Sequence, residues 1–359
     1  MEKVTQEEKT GELLDILKAK INRQLLYYLD LCARCAICRD SCHQYKTTKD
    51  ITYLPAYRAE LIRRIYKRNI NPIGKVFPKL YEGEKIDDEK LLDELYRASY
   101  ACTGCRRCMV YCPFSIDTTW ILSVAKEILN AAGRGNAILG ELADAAVMKG
   151  ESMDIFRDII VETLKEIEEE LKEKLKDRNA SIPVDKEGAE ILYIALAGTH
   201  TILPAAMIFN KAGINWTLSF FEASNYGYFL GNSKKAKKIA DRIVDEAKRL
   251  KVKEVVITEC GHAYRIMNFL YETWAKEKLP FRVRGIVEVI AGYIKNGLVE
   301  LNEKCIPDPV TYHDPCQVGR NAGFFDEPRY IVERIFSDFR DLNPNRERNW
   351  CCGGGGGLV

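Results

Sequence analysis

The spacing of hydrophobic and polar positions changes near the middle of the chain. Before residue 136, apolar residues such as Leu17, Ile21 and Leu25 recur every three or four positions, which predicts amphipathic helices. The predicted helices span residues 12–31, 55–68, 87–98 and 118–132. After about residue 190, short apolar runs alternate with amphipathic stretches. This alternation predicts an α/β domain with a mainly parallel sheet.

The second half of the chain places two cysteines directly after predicted strands. The strands are predicted at 190–197, 215–219, 253–258 and 309–312, and the helices at 202–212, 233–250, 262–276, 285–296 and 326–338. Cys260 follows the third of these strands and Cys316 follows the fourth. Ligands of parallel sheets bind beyond the carboxyl ends of the strands, so both cysteines lie where a site is expected.

Two other stretches have a plain structural interpretation. Residues 191–209 contain no Lys, Arg, Asp or Glu and approach the length of a membrane span. Gly198 and Pro204 interrupt this stretch, which favours a buried strand, a turn and a helix. Residues 136–180 predict helices that end in a charged run, as expected of a solvated connecting helix.

Composition narrows the class of protein. A chain of 359 residues predicts two to three domains. A net charge of +2 gives no strong field for nucleic acid, so no nucleic-acid partner is expected. Most of the 13 cysteines stand in ligand spacings, and the charged N-terminus lacks the apolar stretch of a secretory signal. These features predict a cytoplasmic protein. Residues 31–70 carry an excess of Lys and Arg, which either neutralises anionic groups nearby or forms a docking face for an acidic redox partner.

One cysteine pattern occurs twice in the first half of the chain. It reads C-x-x-C-x-x-C-x-x-x-C, at Cys32, Cys35, Cys38 and Cys42 and again at Cys102, Cys105, Cys108 and Cys112. This is the spacing of proteins that hold two [4Fe–4S] cubanes, in which the fourth cysteine of each run binds the other cluster. The inferred ligands are Cys32, Cys35, Cys38 and Cys112 for one cubane, and Cys102, Cys105, Cys108 and Cys42 for the second.

Structural zinc is the alternative for such cysteines, but it leaves the spare cysteine of each run and the doubled pattern unexplained. The runs are separated by the 59 residues from His43 to Ala101. This separation is too long for the small β-sheet ferredoxin and favours an α-helical ferredoxin domain. His43, which follows Cys42, is expected to tune the cubane by hydrogen bonding.

The last residues hold a second candidate redox site. Cys351 and Cys352 are followed by five glycines, residues 353–357. Glycine permits close approach of the backbone to a metal cluster, and its N–H groups can donate to cluster sulfides. A vicinal disulfide, a flexible tail and a phosphate cradle are the alternatives. The spacing matches neither a dinucleotide fingerprint nor a P-loop.

These motifs together resemble a known family. His313-Asp314-Pro315-Cys316 followed by Cys351-Cys352-Gly353 is similar to the cysteine-rich CCG domain of heterodisulfide reductases. The details around Asn225-Tyr226-Gly227, Glu259-Cys260-Gly261-His262 and Asn345-Arg346-Glu347 look closest to one branch. That branch is the catalytic cytoplasmic subunit (DsrK type) of the membrane redox complex associated with sulfate and sulfite reduction.

The resemblance implies a third cluster and a reaction. In that family the CCG region binds a non-cubane [4Fe–4S] cluster at which a disulfide is cleaved. Cys316, Cys351 and Cys352 become the expected ligands, with Cys260 as a fourth. His262 and His313 lie near these ligands and become candidate proton donors to the leaving thiolate, with stabilisation of a turn as the alternative for both. Asn225-Tyr226-Gly227 stands where an earlier Cys-Cys-Gly would be, which implies one special cluster rather than two.

The resemblance also defines the expected domains. They are an N-terminal helix (1–30), an α-helical ferredoxin domain (31–135), a helical connector (136–188) and a CCG-type α/β domain (189–359). The family pattern continues past CCG to a further CxxC. Either the last domain is truncated, which is the expectation, or its cluster is incomplete.

The expected function is that of an iron–sulfur oxidoreductase subunit. It would pass electrons from a membrane cytochrome b-type partner to a disulfide or trisulfide on a small sulfur-carrier protein (DsrC type). Attachment to the membrane would be peripheral, through partner subunits.

A second function remains open at this point. Proteins with two cubanes and a CCG domain also serve as electron-transfer subunits beside flavoprotein dehydrogenases for hydroxy acids or glycerol 3-phosphate. The chain itself contains no flavin or nicotinamide fingerprint, so either function requires partners. Cys305 matches none of the motifs and is expected to be a packing thiol.

Overall fold

Helices form most of the chain up to residue 175. A computed structural model describes residues 6–196 and 199–357. The helices in the first part are α1 (Gln6–Lys20), α2 (Arg23–Leu31), α3 (His43–Thr48), α4 (Pro55–Asn69), α5 (Pro72–Val76), α6 (Glu89–Tyr100), α7 (Arg107–Tyr111), α8 (Thr118–Ala131), α9 (Ala137–Met148), α10 (Ser152–Ile155) and α11 (Arg157–Leu175).

Strands and helices alternate from residue 191 onward. The strands are β1 (Ile191–Ala195), β2 (Trp216–Glu222), β3 (Glu254–Ile257), β4 (Arg282–Gly285), β5 (Ile306–Val310) and β6 (Phe336–Phe339). The helices are α12 (Ile202–Lys211), α13 (Tyr226–Leu230), α14 (Ser233–Arg249), α15 (Gly261–Arg265), α16 (Tyr271–Ala275), α17 (Ile286–Lys295) and α18 (Asp326–Ile335). The expected combination of a helical part with a parallel sheet is therefore confirmed.

The chain folds into two compact units. The helical unit contains the described residues up to 142, together with 226–233 and those from 347 onward. The sheet unit contains residues 143–225 and 234–346. Short segments around α13 and the CCG motif thus belong to the same unit as the two cysteine runs.

The helical unit is built around α4, α6 and α8. Their apolar faces bury side chains such as Ile62, Leu95 and Ile121 with no exposed surface. The helix predicted over 12–31 is instead two helices. Asn22 causes the break, because its backbone is extended and its side chain accepts the N–H of Leu25 at 2.8 Å, which caps α2.

The sheet unit contains a four-stranded parallel sheet in the order β2-β1-β3-β4. Its core on one face is aromatic, with Phe209 between Tyr193, Trp216 and Tyr293 at ring-centroid separations of 5.7, 5.0 and 6.4 Å. Within the stretch at 191–209, the described residues form β1, the short turn Thr199–Thr201 and α12, as predicted, and Gly198 lies outside the described residues. The charged helix α11 is more than a solvated connector, because Leu164, Ile167 and Leu171 form a buried stripe that joins this core.

Two sequence predictions for the sheet unit were wrong, and one strand was missed. The strand expected at 309–312 is β5, and it pairs with β6 in a separate two-stranded sheet instead of extending the main one. The helix expected to 338 ends at Ile335, because the chain continues as β6. Strand β4 was missed, since its sequence Arg-Val-Arg-Gly lacks an apolar run and the strand pairs with β3 at the end of the sheet order.

Candidate functional site

The first cysteine run lines a cavity in the helical unit. Cys32, Cys35 and Cys38 surround it together with Cys112, the last cysteine of the second run. Apolar side chains, including Ala59, Pro113 and Ile116, complete the lining. The cavity contains about 440 Å³ of space, open solvent included. Four thiols thus face one cavity in the crossed combination that the spacing predicts.

The second run lines a neighbouring cavity in the same unit. Cys102, Cys105 and Cys108 share it with Cys42, the last cysteine of the first run. His43 and Arg58 also line it, and Cys108 lies on the boundary because it lines both cavities. This cavity contains about 350 Å³ of space, open solvent included.

Both cysteine runs have the same backbone conformation. The third and fifth residues of each run are left-handed: Arg34 (φ 53°) and Ala36 (φ 59°) in the first, Gly104 (φ 67°) and Arg106 (φ 59°) in the second. A left-handed conformation costs a residue other than glycine about 1–2 kcal/mol. Turns of this kind aim successive N–H groups at one point and form anion-binding concavities. Strain repeated at matching positions is the mark of a site built for an anionic group.

Four of the thiols around these cavities, those of Cys32, Cys38, Cys42 and Cys108, have a raised pKa and are therefore harder to ionise than a free cysteine. Burial, with smaller contributions from the nearby thiols of Cys32 and Cys112, raises the pKa of Cys38 to about 11. Burial is the main cause that raises the pKa of Cys108 well above its usual range, and the nearby thiols of Cys105 and Cys102 act in the same direction. Four thiolates packed together need a cationic centre to offset their repulsion. The donor sets, their geometry and the left-handed N–H turns therefore fit iron–sulfur clusters.

The CCG segment packs against the second cysteine run within the helical unit. The Sγ of Cys351 lies 3.3 Å from the Oγ1 of Thr103. Ligand atoms of Cys351, Cys105 and His43 all lie within 4.8 Å of one another. Gly356 has φ 83°, and a Cβ there would lie 2.7 Å from the carbonyl oxygen of Cys102, so only glycine fits this approach. The glycine run thus allows close backbone packing against the second cysteine run.

The other two expected ligands of the CCG site lie in the sheet unit. Cys260 follows β3 and begins α15, while Cys316 is buried in the loop after β5. Their segments touch, since a Cβ on Gly261 would lie 2.4 Å from the carbonyl carbon of Gln317. Burial raises the pKa of the Cys260 thiol, against the opposing effect of the backbone N–H groups of Ala263 and His262. The sheet unit thus brings Cys260 and Cys316 into one region although their strands lie in different sheets.

A buried ion-pair network fixes the loop that carries Cys316. Arg329 donates to both carboxylate oxygens of Asp314 at 2.7 and 2.8 Å, and to Asp341 at 2.7 and 2.9 Å. The backbone N–H of Arg346 donates to the same Asp314 carboxylate at 2.7 Å. Asp314 and Arg329 are 2% and 5% exposed. The His-Asp-Pro-Cys motif therefore owes its conformation to Asp314.

The histidines fall into both units. His43 belongs to the helical unit, and burial lowers its pKa, with a further contribution from Arg58. His262 lies in α15 and His313 immediately precedes Asp314, both in the sheet unit. His200 is mostly exposed, and its Nε2 lies 3.6 Å from the Glu259 carboxylate.

Some features of the site were not predicted from the sequence. Thr103 and Arg107 contact the CCG segment, Arg107 partly through the Trp350 ring, and the position of both residues inside the second cysteine run is the signal that could have drawn attention to them. Cys305, expected to be a packing thiol, is exposed, because it lies just before the exposed residues of β5. No helix in the described part of the chain combines the length and the apolar character that crossing a membrane requires.

The fold and the cysteine sets define an iron–sulfur oxidoreductase, and comparison with known proteins identifies its family. Residues 28–116 match the 4Fe-4S dicluster domain, and residues 310–359 match the cysteine-rich CCG domain. The chain is 30% identical to iron-sulfur subunit 2 of the Hdr-like menaquinol oxidoreductase of Archaeoglobus fulgidus, over 94% of this chain and 69% of that protein. The chain belongs to the heterodisulfide-reductase-like iron–sulfur proteins.

Two further relatives support this assignment. The iron-sulfur subunit of the Hdr-like menaquinol oxidoreductase of Archaeoglobus profundus is 27% identical, over 97% of this chain and 71% of that protein. The D subunit of the dihydromethanophenazine:CoB–CoM heterodisulfide reductase of Methanosarcina mazei is 26% identical, over 93% of this chain and 80% of that protein. No solved structure matches the chain significantly.

Proposed function

We propose that this protein is the subunit of a membrane-attached redox complex that reduces a disulfide or trisulfide in sulfur respiration. Electrons would come from a membrane cytochrome b-type partner, and the substrate would be a small sulfur-carrier protein (DsrC type). Relatives named as menaquinol oxidoreductase and heterodisulfide reductase subunits support a redox complex that acts on a disulfide, while the cytochrome donor and the sulfur-carrier substrate are part of the proposal. Attachment to the membrane would be peripheral, through the partner subunits.

One observation carries the proposal. The Sγ of Cys351 in the CCG motif lies within 4.8 Å of the Sγ of Cys105, an expected cubane ligand. A thiol this close to a cubane ligand suits a site that receives electrons from that cubane. A flexible tail, the main structural alternative for the glycine run, would not bury Cys351 to 8% exposure.

The residues that would hold the cofactors follow from the cysteine sets. Cys32, Cys35, Cys38 and Cys112 would hold one cubane, and Cys42, Cys102, Cys105 and Cys108 the second. Cys316, Cys351 and Cys352, with Cys260 as the fourth, would hold the non-cubane [4Fe–4S] cluster. When bound, these clusters supply one-electron transfer, which a two-electron disulfide cleavage requires twice.

Protons are the other requirement of the reaction, since cleavage of a disulfide to two thiols consumes two of them. A histidine beside the site can donate a proton from a ring nitrogen near neutral pH. His262 and His313 are our candidates, because each lies within three residues of an expected ligand. The ion pair of Asp314 with Arg329 would hold His313 in a fixed place.

Turnover of defined substrates tests this function. The iron-loaded protein, reduced by a viologen dye, should reduce a trisulfide-bearing sulfur-carrier protein, and Cys352→Ser should abolish turnover while Cys305→Ser retains it. Electron acceptance from a flavoprotein dehydrogenase, without any disulfide or trisulfide turnover, would instead identify an electron-transfer subunit and overturn the proposal.

A further inference from the structure

Arg107 lies at the junction of three segments of the helical unit. It is the residue before Cys108, and it is only 3% exposed. Its Nη1 donates to the carbonyl oxygen of Ser41, at 3.0 Å, next to Cys42 in the first cysteine run. Its Nε donates to the carbonyl oxygen of Arg348, at 2.9 Å, in the CCG segment. One guanidinium therefore ties together both cysteine runs and the segment that carries Cys351.

The Trp350 ring adds a second contact between these segments. The Arg107 guanidinium carbon lies 3.5 Å from the centroid of this ring, and the Lys46 ammonium nitrogen lies 4.5 Å from it. Contacts of a cation with an aromatic face contribute about 0.5–2 kcal/mol, with the larger values at desolvated sites. The indole precedes Cys351 directly, so its position determines where the Cys351 thiol lies.

Two further contacts fix the cysteine pair and the residues that follow it. Thr103 is 2% exposed, and its hydroxyl lies 3.3 Å from the Cys351 Sγ. The backbone of Gly356 packs on Cys102 and Thr103. The CCG segment is thus held before and after the cysteine pair, in each case by residues of the second cysteine run.

We propose that Arg107 is a positioning residue that clamps the Trp350–Cys351 segment onto the second cysteine run and so sets the electron-transfer contact between the two sites. This inference rests on the proposed function. Cys102, Cys105, Cys108 and Cys42 would hold the group that gives up one electron, and Cys351 and Cys352 would hold the group that takes up one electron. No bond breaks and no proton moves in this step. The electrons come from a one-electron reductant, which is a photoreduced flavin in the test below.

The guanidinium suits this task better than an ammonium group would. Its planar fork donates in several directions at once and stacks on an aromatic ring, whereas lysine offers a point charge. Replacing Arg107 by lysine should therefore keep the positive charge near the cluster but lose the clamp. This difference separates positioning from a purely electrostatic role.

The test compares Arg107→Met and Arg107→Lys with the matched control Arg39→Met in the iron-loaded protein. Arg39 stands beside Cys38 in the first run, but its side chain is 59% exposed and pairs with the neighbouring Asp40. Hydrogen–deuterium exchange of residues 347–356 reports the clamp directly. We expect both Arg107 variants to speed this exchange by about tenfold or more, equivalent to ~1.4 kcal/mol, and the control to leave it unchanged.

Freeze-quench EPR after photoreduction reports the electron-transfer contact. Because the rate of electron tunnelling falls exponentially with the distance between donor and acceptor, arrival of electrons at the oxidised CCG site should slow several-fold in both Arg107 variants. The rate of cubane reduction should not change. The inference would be overturned if Arg107→Met showed the wild-type rates of both hydrogen exchange and electron arrival. If electron arrival slowed in Arg107→Met but not in Arg107→Lys, the effect would be due to charge and not to a clamp.

A second variant protects the test from misfolding. If Arg107→Met fails to retain both cubane signals, Trp350→Leu removes the stacking contact and leaves the hydrogen bond from Arg107 to Ser41 in place. It should give the same two results, and wild-type behaviour would overturn the clamp. If the wild-type protein showed no EPR signal from an oxidised CCG site, the proposed function would be wrong. Hydrogen–deuterium exchange of residues 347–356 would still test the clamp.

Discussion

The hydroxyl of Thr103 lies 3.3 Å from the thiol of Cys351, although 248 positions separate the two residues. Thr103 stands between two expected ligands of the second cubane, Cys102 and Cys105. The contact therefore joins the cysteine pattern in the first half of the chain to the one at residues 351–352. It is the structural basis for treating the two motifs as parts of one electron path.

Cysteine-to-serine variants should sort into two sets. Serine binds iron more weakly than a thiolate, so Cys35→Ser and Cys112→Ser should alter the same reduced-cubane EPR signal, because both thiols face the first cavity. Cys105→Ser and Cys42→Ser should alter the other signal. If Cys112→Ser instead altered the same signal as Cys105→Ser, the crossed assignment of ligands would be wrong.

Removing Arg329 should destabilise the sheet unit strongly. Arg329→Met leaves the Asp314 carboxylate buried without its guanidinium partner, a change that typically costs about 3–5 kcal/mol. Arg340→Met is the matched control, since it breaks an exposed pair with Asp338 and should cost at most about 1 kcal/mol. Denaturant unfolding followed by circular dichroism measures both, and equal losses would refute a structural role for the buried pair.

The same variant should show a defined pH dependence. Hydrogen bonding to Arg329 lowers the pKa of Asp341, so this carboxylate stabilises the folded state above its unfolded pKa, and the contribution is lost as the pH falls. In Arg329→Met that contribution is absent at every pH. The difference in unfolding free energy between wild type and variant should therefore shrink below about pH 4, and a difference that grew on acidification would contradict this.

Gly231 should tolerate alanine poorly, because it follows α13 where this helix packs on α8. Gly231 has φ 81°, and a Cβ there would lie 2.2 Å from the Cβ of Lys126. Gly213 is the matched control, with φ 65° but no atom within 4 Å of its added Cβ. Both alanine variants incur about 1–2 kcal/mol of backbone strain, and the clash at 231 adds about 1–3 kcal/mol. Gly231→Ala should thus lower the Tm more than Gly213→Ala, and equal Tm values would argue against this packing.

The spacing of residues along the sequence predicted the structural features that depend only on local backbone geometry. The cysteine runs, the helices α4 and α8 and the strand–turn–helix at 191–209 follow from short-range patterns, and the structure contains each of them. The break at Asn22 and the strand β4 escaped prediction. At Asn22, the capping side chain ends a helical pattern that is continuous in the sequence. In β4, pairing with β3 holds a charged sequence in the strand conformation.

The candidate site was predictable only where cysteines mark it. Thiol spacing supplied the expected ligands, but it carries no information about neighbours that lie far away in the sequence. Arg107 and Trp350 meet only because the chain returns to the second cysteine run after more than two hundred residues. Tyr100 likewise donates to the carbonyl of Leu230, at 2.7 Å, and fixes the end of α13 within the helical unit.

Anaerobic EPR with iron quantification on wild type, Cys351→Ser and the control Cys305→Ser tests the central claim most directly. With three [4Fe–4S] clusters the wild type should hold about twelve iron atoms and show, when oxidised, a signal that changes on addition of a thiol substrate. That signal should vanish in Cys351→Ser and persist in Cys305→Ser, with the reduced-cubane signals retained in both. Only reduced-cubane signals, identical in all three proteins, would contradict the account and leave a two-cluster electron carrier.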